Sequence, residues 1–392
     1  MDPPFRILMV AGGTGGHIFP ALTVAEELRA RGERSGCPYE IEFLGTHRPL
    51  EARLIPAAGF RLRTVDAAGL KGIGGIQRLR NFLVLPRTAI EVAGILGDFR
   101  PQVVVGVGGY LAGPVMLEAA LVNIPTILIE PNARPGFTNR LLAPMVRAAA
   151  VGFPETAHLY GEKARVTGHP VRRAFFDIPP RRRVPQALLP VGHGSQPGVA
   201  VPPFTILVVG GSQGSSAINK AVLGALPLLA REAGGMRIIH QTGEHDYNEI
   251  RKTYQEGSLP AEVHPFIDDM PGALAQADLV ISRAGATAVA ELAAAGRASV
   301  LIPFPGATDQ HQLENARTME QAGAARVIVQ SELTPARLAQ EIQELIASSA
   351  TLERMESSAR QLARPDAAAR IADLVEHFVS GLWGHAMECP YK

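Results

Sequence analysis

The sequence predicts an α/β protein of two domains, each built on a parallel β-sheet, and three observations carry this prediction. The chain has 392 residues, more than a single hydrophobic core usually organises. Its two halves begin alike, because residues 5–16 (FRILMVAGGTGG) and 204–215 (FTILVVGGSQGS) both read as an apolar strand, a glycine turn and a helix start. Strand-like and helix-like runs then alternate, which is typical of parallel sheets covered by helices.

Each predicted strand is an apolar run that ends in small or polar residues. After the two opening strands, the further ones are predicted at 41–44, 60–65, 103–107, 126–129, 147–151, 236–241, 262–265, 279–282, 299–303 and 326–329. Residues 334–378 show helical periodicity alone. The Pro/Gly-rich stretch 178–203 shows neither period, so we expect domains at 1–177 and 204–392 joined by a linker. Its arginines at 181–183 are expected to be solvated.

Composition and charge narrow the class of protein. The chain is 46% hydrophobic and 19% charged, as in well-packed globular proteins. No signal-peptide pattern precedes the first strand, and the uncharged stretch 101–117 is too short for a transmembrane helix, so any membrane contact is expected to be peripheral. Residues 1–175 hold 20 Lys and Arg against 14 Asp and Glu, while the remainder holds 18 against 23. This asymmetry favours an anionic partner for the first half.

Four glycine-rich loops follow predicted strands: GGTGGH at 12–17, GVGGYLAGP at 106–114, GGSQGS at 210–215 and SRAGATAVAE at 282–291. Backbone amides in such turns, and at the helix starts behind them, attract phosphates. One glycine turn can serve tight packing alone, but four of them favour a phosphate-binding cleft. The spacing does not match the GxGxxG dinucleotide fingerprint, which argues against a dehydrogenase, and no Gly-Lys-Ser/Thr of a P-loop follows.

Several polar side chains accompany these loops. His17 begins the first helix, where it can cap the helix, bind phosphate or move a proton. Glu130, at the end of a predicted strand, is the other candidate acid or base. Glu291 lies about one turn into a helix that starts near Ala286, a position that suits ribose hydroxyls.

Two further clusters could suggest a metal, but both favour another reading. The stretch 307–316 (ATDQHQLENA) suits sugar hydroxyls, because His311 has no second His or Cys at ligand spacing. The adjacent Asp268 and Asp269 favour a helix N-terminal role, since neighbouring carboxylates point in different directions on most backbones.

Eight motifs carry a resemblance to a known family: GGTGGHIFPAL, GGYLAGP, NARPGFTNR, TGHPVR, GGSQGS, FIDDM, SRAGATAVAEL and DQHQLENA. The motifs occur in the order seen in the MurG family of bacterial N-acetylglucosaminyltransferases, and the chain resembles this family over about residues 7–378. The resemblance implies a GT-B fold, an α/β architecture in which two Rossmann-like parallel-sheet domains face each other across a cleft. It implies transfer, with inversion, of N-acetylglucosamine from UDP-GlcNAc to the C4 hydroxyl of undecaprenyl-diphosphate-linked muramyl-pentapeptide (lipid I), giving lipid II.

The resemblance also implies cofactors, partners and site residues. No cofactor, no active-site metal and no nucleic-acid partner are expected, and the protein is expected on the cytoplasmic face of the bacterial inner membrane. The implied donor-binding residues are Thr14, Gly15, Gly16, Arg172, Ser212, Ile267, Ala286, Thr287, Ala288, Val289, Ala290, Glu291 and Gln312. The implied acceptor-binding residues are His17, Tyr110 and Asn132. Ile267 would contact uracil, and Gln312 would take hydroxyls of the N-acetylglucosamine. As catalytic base, His17 or Glu130 is expected.

The stretch 70–90 (LKGIGGIQRLRNFLVLPRTAI) is expected to contact an anionic membrane surface. It is basic without an acidic residue, and its apolar residues recur at roughly helical spacing. The alternative is an amphipathic helix that faces the core, and the family's peripheral membrane association favours the lipid. The membrane-contacting residues would be Lys71, Ile73, Ile76, Arg78, Leu79, Arg80 and Phe82.

Two departures from the family pattern leave alternatives open. The family usually has His-Glu-Gln-Asn where this chain has Ile-Glu-Pro-Asn at 129–132, and an arginine often found after the third glycine loop is absent. The alternatives are another GT-B UDP-sugar transferase with a lipid acceptor, a UDP-sugar epimerase, or a non-catalytic UDP-sugar-binding protein that recruits partners to the membrane.

Overall fold

The computed structural model describes residues 4–66, 75–181, 203–229, 235–257, 259–307 and 310–380, with the backbone alone over 75–86. It divides into two compact units, one within Met1–Arg172 and Arg364–Lys392 and the other within Arg173–Ala363. The first unit contains a seven-stranded sheet and the second a six-stranded sheet, and all their strand pairs are parallel. The predicted α/β class with two parallel sheets is therefore confirmed.

The first unit has strands in the order β3-β2-β1-β4-β5-β6-β7. These are β1 (Phe5–Val10), β2 (Tyr39–Gly45), β3 (Arg61–Thr64), β4 (Val103–Gly106), β5 (Thr126–Glu130), β6 (Ala148–Val151) and β7 (Ala164–Val166). Its helices are α1 (Gly15–Ser35), α2 (Pro49–Ala57), α3 (Gly75–Phe99), α4 (Gly109–Leu121), α5 (Phe137–Leu142) and, from the end of the chain, α14 (Ala367–Ser380).

The central strand β1 is apolar from Ile7 to Val10 because both faces of the sheet are covered there. Ile7 and Met9 belong to one buried cluster with residues of α1 and α14, whereas Leu8 and Val10 belong to another with residues of α3 and α4. Since successive side chains of a strand point to opposite faces, each cluster takes every second residue. The sheet is thereby fixed in register, and the carboxyl ends of β1 and β4 lie side by side.

The second unit repeats this plan with strands in the order β10-β9-β8-β11-β12-β13. They are β8 (Phe204–Val209), β9 (Met236–Gln241), β10 (Ala261–His264), β11 (Leu279–Ser282), β12 (Ser299–Leu301) and β13 (Ala325–Val327). The helices are α6 (Arg173–Phe176), α7 (Ser216–Leu229), α8 (Tyr247–Glu256), α9 (Met270–Gln276), α10 (Ala286–Ala295), α11 (His311–Gln321), α12 (Pro335–Ile346) and α13 (Ser349–Leu362). Here β8 and β11 end side by side.

The domain boundaries differ from the predicted ones in two places. The chain enters the second unit at Arg173, ahead of the predicted boundary at 177, and returns to the first unit at Arg364. It returns because α14 places an apolar face in the core of the first unit, with Ile371, Val375 and Val379 buried beside α1.

The three-residue edge strand β7 was also not predicted, since its sequence Ala-Arg-Val has no apolar run.

The linker prediction is tested only at its ends, because 182–202 lie outside the described residues. Arg181 does not belong to a solvated run: its guanidinium makes two 2.8 Å hydrogen bonds to the buried carboxylate of Asp278.

For the predicted membrane segment, α3 confirms the helical periodicity from Gly75 onward. Lys71 and Ile73 lie outside the described residues, and the side chains at 76, 78, 79, 80 and 82 lie outside the described atoms.

Candidate active site

The first glycine loop connects β1 to α1 at the carboxyl edge of the first sheet. Gly13 has a φ of +105°, a conformation that side chains other than glycine rarely adopt. Thr14 is the N-cap of α1 but makes no side-chain capping hydrogen bond, so α1 begins at Gly15 without a side chain over its end. A helix that starts this way presents the partial positive charge of its N-terminus to a ligand.

Two residues at the start of α2 hold this loop. The carboxylate of Glu51 is fully buried and accepts hydrogen bonds from Gly13 N at 2.6 Å and from the Thr46 hydroxyl at 2.9 Å. Arg48 donates to the Gly13 carbonyl at 3.2 Å. Both backbone polar groups of Gly13 are thus bound by side chains from one helix start.

The second glycine loop meets the first because β1 and β4 are neighbours in the sheet. A Cβ on Gly109 would lie 3.4 Å from the Gly12 carbonyl oxygen and 3.7 Å from the His17 ring. Tyr110, the predicted acceptor-binding residue of this loop, lies under Arg48, with 5.8 Å between the guanidinium carbon and the ring centroid. The structure therefore brings Gly12, His17 and Tyr110 to one place.

His17 stands in the first turn of α1 and is half-buried. Its Nδ1 lies 3.5 Å from the Thr14 hydroxyl oxygen. His169 is buried close by, and burial, together with the charge of His17, lowers the pKa of His169 to about 3. Arg172, predicted to bind the donor, packs its guanidinium 4.8 Å from the centroid of the Phe19 ring, one turn along α1.

Glu130, at the end of β5, has no exposed surface. One oxygen accepts from Asn132 N at 3.0 Å and from Asn132 Nδ2 at 3.2 Å, and the other accepts from Asn139 Nδ2 at 2.7 Å. Burial raises the pKa of Glu130 to about 7, although these hydrogen bonds oppose the rise. Glu130 therefore fixes the loop that carries Asn132.

In the second unit, the third glycine loop follows β8 and is fitted against the end of β9. Gly214 has a φ of +76°, and a Cβ there would lie 2.0 Å from the Thr242 carbonyl oxygen. The buried carboxamide of Gln241 donates to the Gly211 carbonyl at 2.9 Å and accepts from Ile267 N at 2.8 Å. Gln241 thus joins this loop to the residue predicted to contact uracil, and Ser212 is exposed on the loop itself.

The fourth loop, after β11, is anchored by Arg283. This guanidinium is buried and donates to the Ser215 hydroxyl at 2.6 Å and to the Ile302 carbonyl at 3.0 Å. Burial lowers the pKa of Arg283 to about 10. The third and fourth loops are therefore tied together at the point where α10 begins.

Helix α10 starts at Ala286 with Gly285 as its N-cap and no side-chain cap. Thr287, Ala288, Ala290 and Glu291 of the predicted donor segment are half-buried, while Ala286 and Val289 are buried. Gln312, in the first turn of α11, accepts a hydrogen bond from Phe304 N at 3.0 Å, and Asn315 donates to the Ala284 carbonyl at 3.1 Å. The predicted donor residues from 212 to 312 thus lie at the carboxyl ends of β8, β10, β11 and β12.

The adjacent Asp268 and Asp269 were predicted to lie at a helix N-terminus. Asp269 caps α9 by accepting from Gly272 N at 2.9 Å, as predicted from the adjacent pair of aspartates. Within the described ranges, no three His, Cys, Asp or Glu side chains cluster closely enough to ligate a metal ion. In the same ranges, no helix has the length and apolarity needed to cross a bilayer.

Four residues of the site were not singled out from the sequence. Asn139 and Arg283 lie within recognised motifs, and Arg283 directly follows the end of β11. Glu51 and Gln241 lie outside those motifs, and each binds a loop that is distant in the chain: Gly13 is 38 residues from Glu51, and Gly211 is 30 from Gln241.

Sequence and structure comparisons both find relatives that cover nearly the whole chain. The glycosyltransferase family 28 N-terminal domain matches residues 7–151, and the family 28 C-terminal domain matches residues 205–371. A relative from Anaeromyxobacter sp. (strain Fw109-5) is named UDP-N-acetylglucosamine--N-acetylmuramyl-(pentapeptide) pyrophosphoryl-undecaprenol N-acetylglucosamine transferase. It is 42% identical over 380 residues, which is 97% of this chain and 95% of the relative. A protein of the same name from Myxococcus xanthus (strain DK1622) is 42% identical over 97% of this chain and 94% of its own length.

The solved structure of Acinetobacter baumannii MurG has the same architecture. It is 31% identical in sequence and superposes with a TM-score of 0.71, covering 96% of this chain and 100% of that one. This likeness, together with the two parallel sheets, confirms the GT-B fold. The chain belongs to glycosyltransferase family 28 and, within it, to the MurG family of UDP-N-acetylglucosamine-dependent N-acetylglucosaminyltransferases.

Proposed function

We propose that this chain transfers N-acetylglucosamine from UDP-GlcNAc to the C4 hydroxyl of the muramyl sugar of lipid I, with inversion, to form lipid II. One observation carries the proposal: in each unit the two central strands end side by side in glycine loops, and α1 in the first unit and α10 in the second begin behind such a loop without a side-chain cap. One such edge suits a nucleotide diphosphate, and the second suits another phosphorylated substrate. The relatives' names state this donor and this acceptor.

The nucleotide of the donor would bind to the second unit, while four of the implied donor residues, Thr14, Gly15, Gly16 and Arg172, belong to the first. Ile267 and the 286–291 segment would take uracil, diphosphate and ribose, with Glu291 on the ribose hydroxyls. The start of α10 and the buried Arg283 behind it supply positive potential where charge develops on the departing UDP. These groups can stabilise the leaving diphosphate without a metal ion, so we expect the reaction to proceed in a metal chelator.

The catalytic base in this proposal is His17. A base must come within hydrogen-bond reach of the acceptor hydroxyl, and His17 is half-exposed beside the glycine loop. When His17 takes up the proton it becomes an imidazolium. His169 nearby is neutral because its pKa is lowered, so it would not repel this positive charge. Glu130, the other candidate, has no exposed surface and both of its oxygens are occupied, so it would act by positioning Asn132.

Single substitutions of the two candidates test this assignment. We expect His17→Ala to lower kcat by about 10²-fold or more, the contribution typical of a general base. Glu130→Gln should lower kcat less and should raise the KM for the acceptor, because it disturbs Asn132. Near-normal turnover in both variants would contradict both assignments, and a larger loss in Glu130→Gln would return the base to Glu130.

The decisive experiment measures transfer of radiolabelled N-acetylglucosamine from UDP to a short-chain analogue of lipid I in the presence of EDTA. Labelled disaccharide product is expected. Product formed only after Mg²⁺ is added would contradict metal independence. No product under either condition, with UDP-GlcNAc still bound, would contradict the acceptor and favour another lipid acceptor or a non-catalytic role.

We also propose peripheral binding to the anionic cytoplasmic face of the inner membrane. Beyond the predicted segment 70–90, helices α4 and α5 pack together and expose an apolar patch made of Leu117, Leu121, Val122, Phe137, Leu141 and Met145. Arg134 and Arg147 are exposed on the same stretch of chain. Apolar groups bordered by cations suit the interface of an anionic leaflet.

Vesicle co-sedimentation tests the membrane proposal. We expect Leu121→Glu and Arg80→Glu each to weaken binding to vesicles rich in anionic lipid. Leu228→Glu is the matched control, since Leu228 is an exposed leucine on α7 in the other unit. Equal binding by all three variants would contradict a membrane role for this face of the first unit.

A further inference from the structure

We propose that Glu51 is a positioning residue for the transfer reaction, which holds the first glycine loop and through it His17. This inference rests on the proposed function. Glu51 lies in the first turn of α2 and its carboxylate is fully buried. Its Oε1 accepts from Gly13 N at 2.6 Å and from the Thr46 hydroxyl at 2.9 Å, while Oε2 accepts from Thr46 N.

A carboxylate suits this position better than any other side chain. All three of its partners are donors, and an ionised carboxylate is purely an acceptor with room for several hydrogen bonds. The surrounding backbone is shaped to admit it: a Cβ on Gly45 would lie 2.5 Å from Oε2, and one on Gly12 would lie 3.6 Å from Oε1. Glycine at 45 therefore leaves space that the Glu51 carboxylate fills.

The hold on Gly13 extends to the proposed base. Gly13 is followed directly by Thr14, whose carbonyl accepts from His17 N at 3.0 Å in the first turn of α1. On its other side, the Gly13 carbonyl is bound by Arg48 at 3.2 Å. Glu51 thus acts on His17 through the backbone of Gly13 and Thr14, without contact with the substrate. A displacement of about 1 Å in a catalytic group can cost about 10²-fold in rate.

The test compares two buried glutamates of the first unit, Glu51 of α2 and Glu42 of β2. Glu51→Gln keeps the size of the side chain but places an NH₂ group against the backbone donors. We expect its kcat for lipid II formation to fall by about tenfold or more, with the Kd for UDP unchanged within about twofold, because UDP binding is assigned to the second unit. Glu42→Gln is the matched control: Glu42 is also buried, but it binds Arg61 and Arg63 away from the loop.

The outcomes separate a positioning role from a structural one. Both variants should lose stability to urea, but only Glu51→Gln should lose kcat. Equal kcat in the two variants would overturn the inference, whereas a wild-type protein that forms no lipid II would overturn the proposed function instead. If Glu51→Gln fails to fold, Thr46→Val provides the second measurement, since it removes one donor to Oε1. An unchanged kcat in Thr46→Val would then overturn the inference.

Discussion

At the scale of single residues, the site depends on buried polar side chains that are not themselves expected to touch substrate. Gln241 is one of them, with both ends of its carboxamide bonded to backbone groups of different loops. Arg283, Glu130 and Glu51 likewise use buried polar atoms to bind residues of other loops. A buried polar group without its partner costs about 1–3 kcal/mol, so these bonds hold each loop in one conformation.

Gln241→Leu gives a prediction at this scale. Leucine approximates the volume of glutamine but leaves the Gly211 carbonyl and Ile267 N without their partner. If Ile267 contacts uracil, the Kd for UDP should rise by about tenfold, as expected for the loss of about 1.4 kcal/mol. Calorimetric titration with UDP measures this. Gln276→Leu, an exposed residue bonded to Arg237, is the control, and an equal change in both variants would contradict the prediction.

At the scale of elements, the third glycine loop shows why particular glycines are needed. Gly211 and Gly214 both have positive φ, but nothing lies within 4 Å of a Cβ at Gly211, whereas one at Gly214 would lie 2.0 Å from a backbone oxygen. Both substitutions to alanine should therefore cost about 1–2 kcal/mol of backbone strain, and Gly214→Ala should cost more because the loop must also move. Thermal unfolding with and without UDP measures the difference. Equal destabilisation would show that the close approach to Thr242 does not matter.

Elements were predictable from the sequence where local pattern decides them. The opening strands β1 and β8 are largely apolar runs followed by glycine turns, so their positions could be predicted. The edge strand β7 could not, because three residues pair with β6 without an apolar run of their own. The same distinction applies to the candidate site. Its loop glycines and His17 could be predicted because they belong to local sequence motifs. Glu51 and Gln241 act on loops that only the folded sheet brings beside them.

At the scale of the whole molecule, α14 lies far along the chain but completes the core of the first unit. Its Ile371 is fully buried, and Arg31 of α1 bonds both Asp373 and Glu376 on its polar side. Ile371→Ala should lower the free energy of unfolding of the first unit by about 2–5 kcal/mol. Ile342→Ala, in the core of the second unit, should do the same there. Calorimetry should show that each variant shifts the unfolding transition of its own unit. If both variants shifted the same transition, the division of the chain into two units would be contradicted.

The two units should also respond differently to acid. In the second unit, burial lowers the pKa of His240 to about 3, so unfolding takes up a proton below pH 6.5 and stability falls as the pH drops towards 3. His169 acts likewise in the first unit, but the raised pKa of Glu130 has the opposite sign: its contribution is present below pH 4.5 and is lost as the pH rises towards 7.

Acidification from pH 6.5 to 4.5 should therefore destabilise the second unit more than the first. The slope for one unopposed proton is about 1.4 kcal/mol per pH unit. Urea unfolding of each unit at the two pH values measures it. His240→Gln should flatten the dependence of the second unit, and Glu130→Gln should steepen that of the first, because it leaves His169 unopposed. A flatter dependence in Glu130→Gln would mean that its carboxyl is ionised in the folded protein throughout this range.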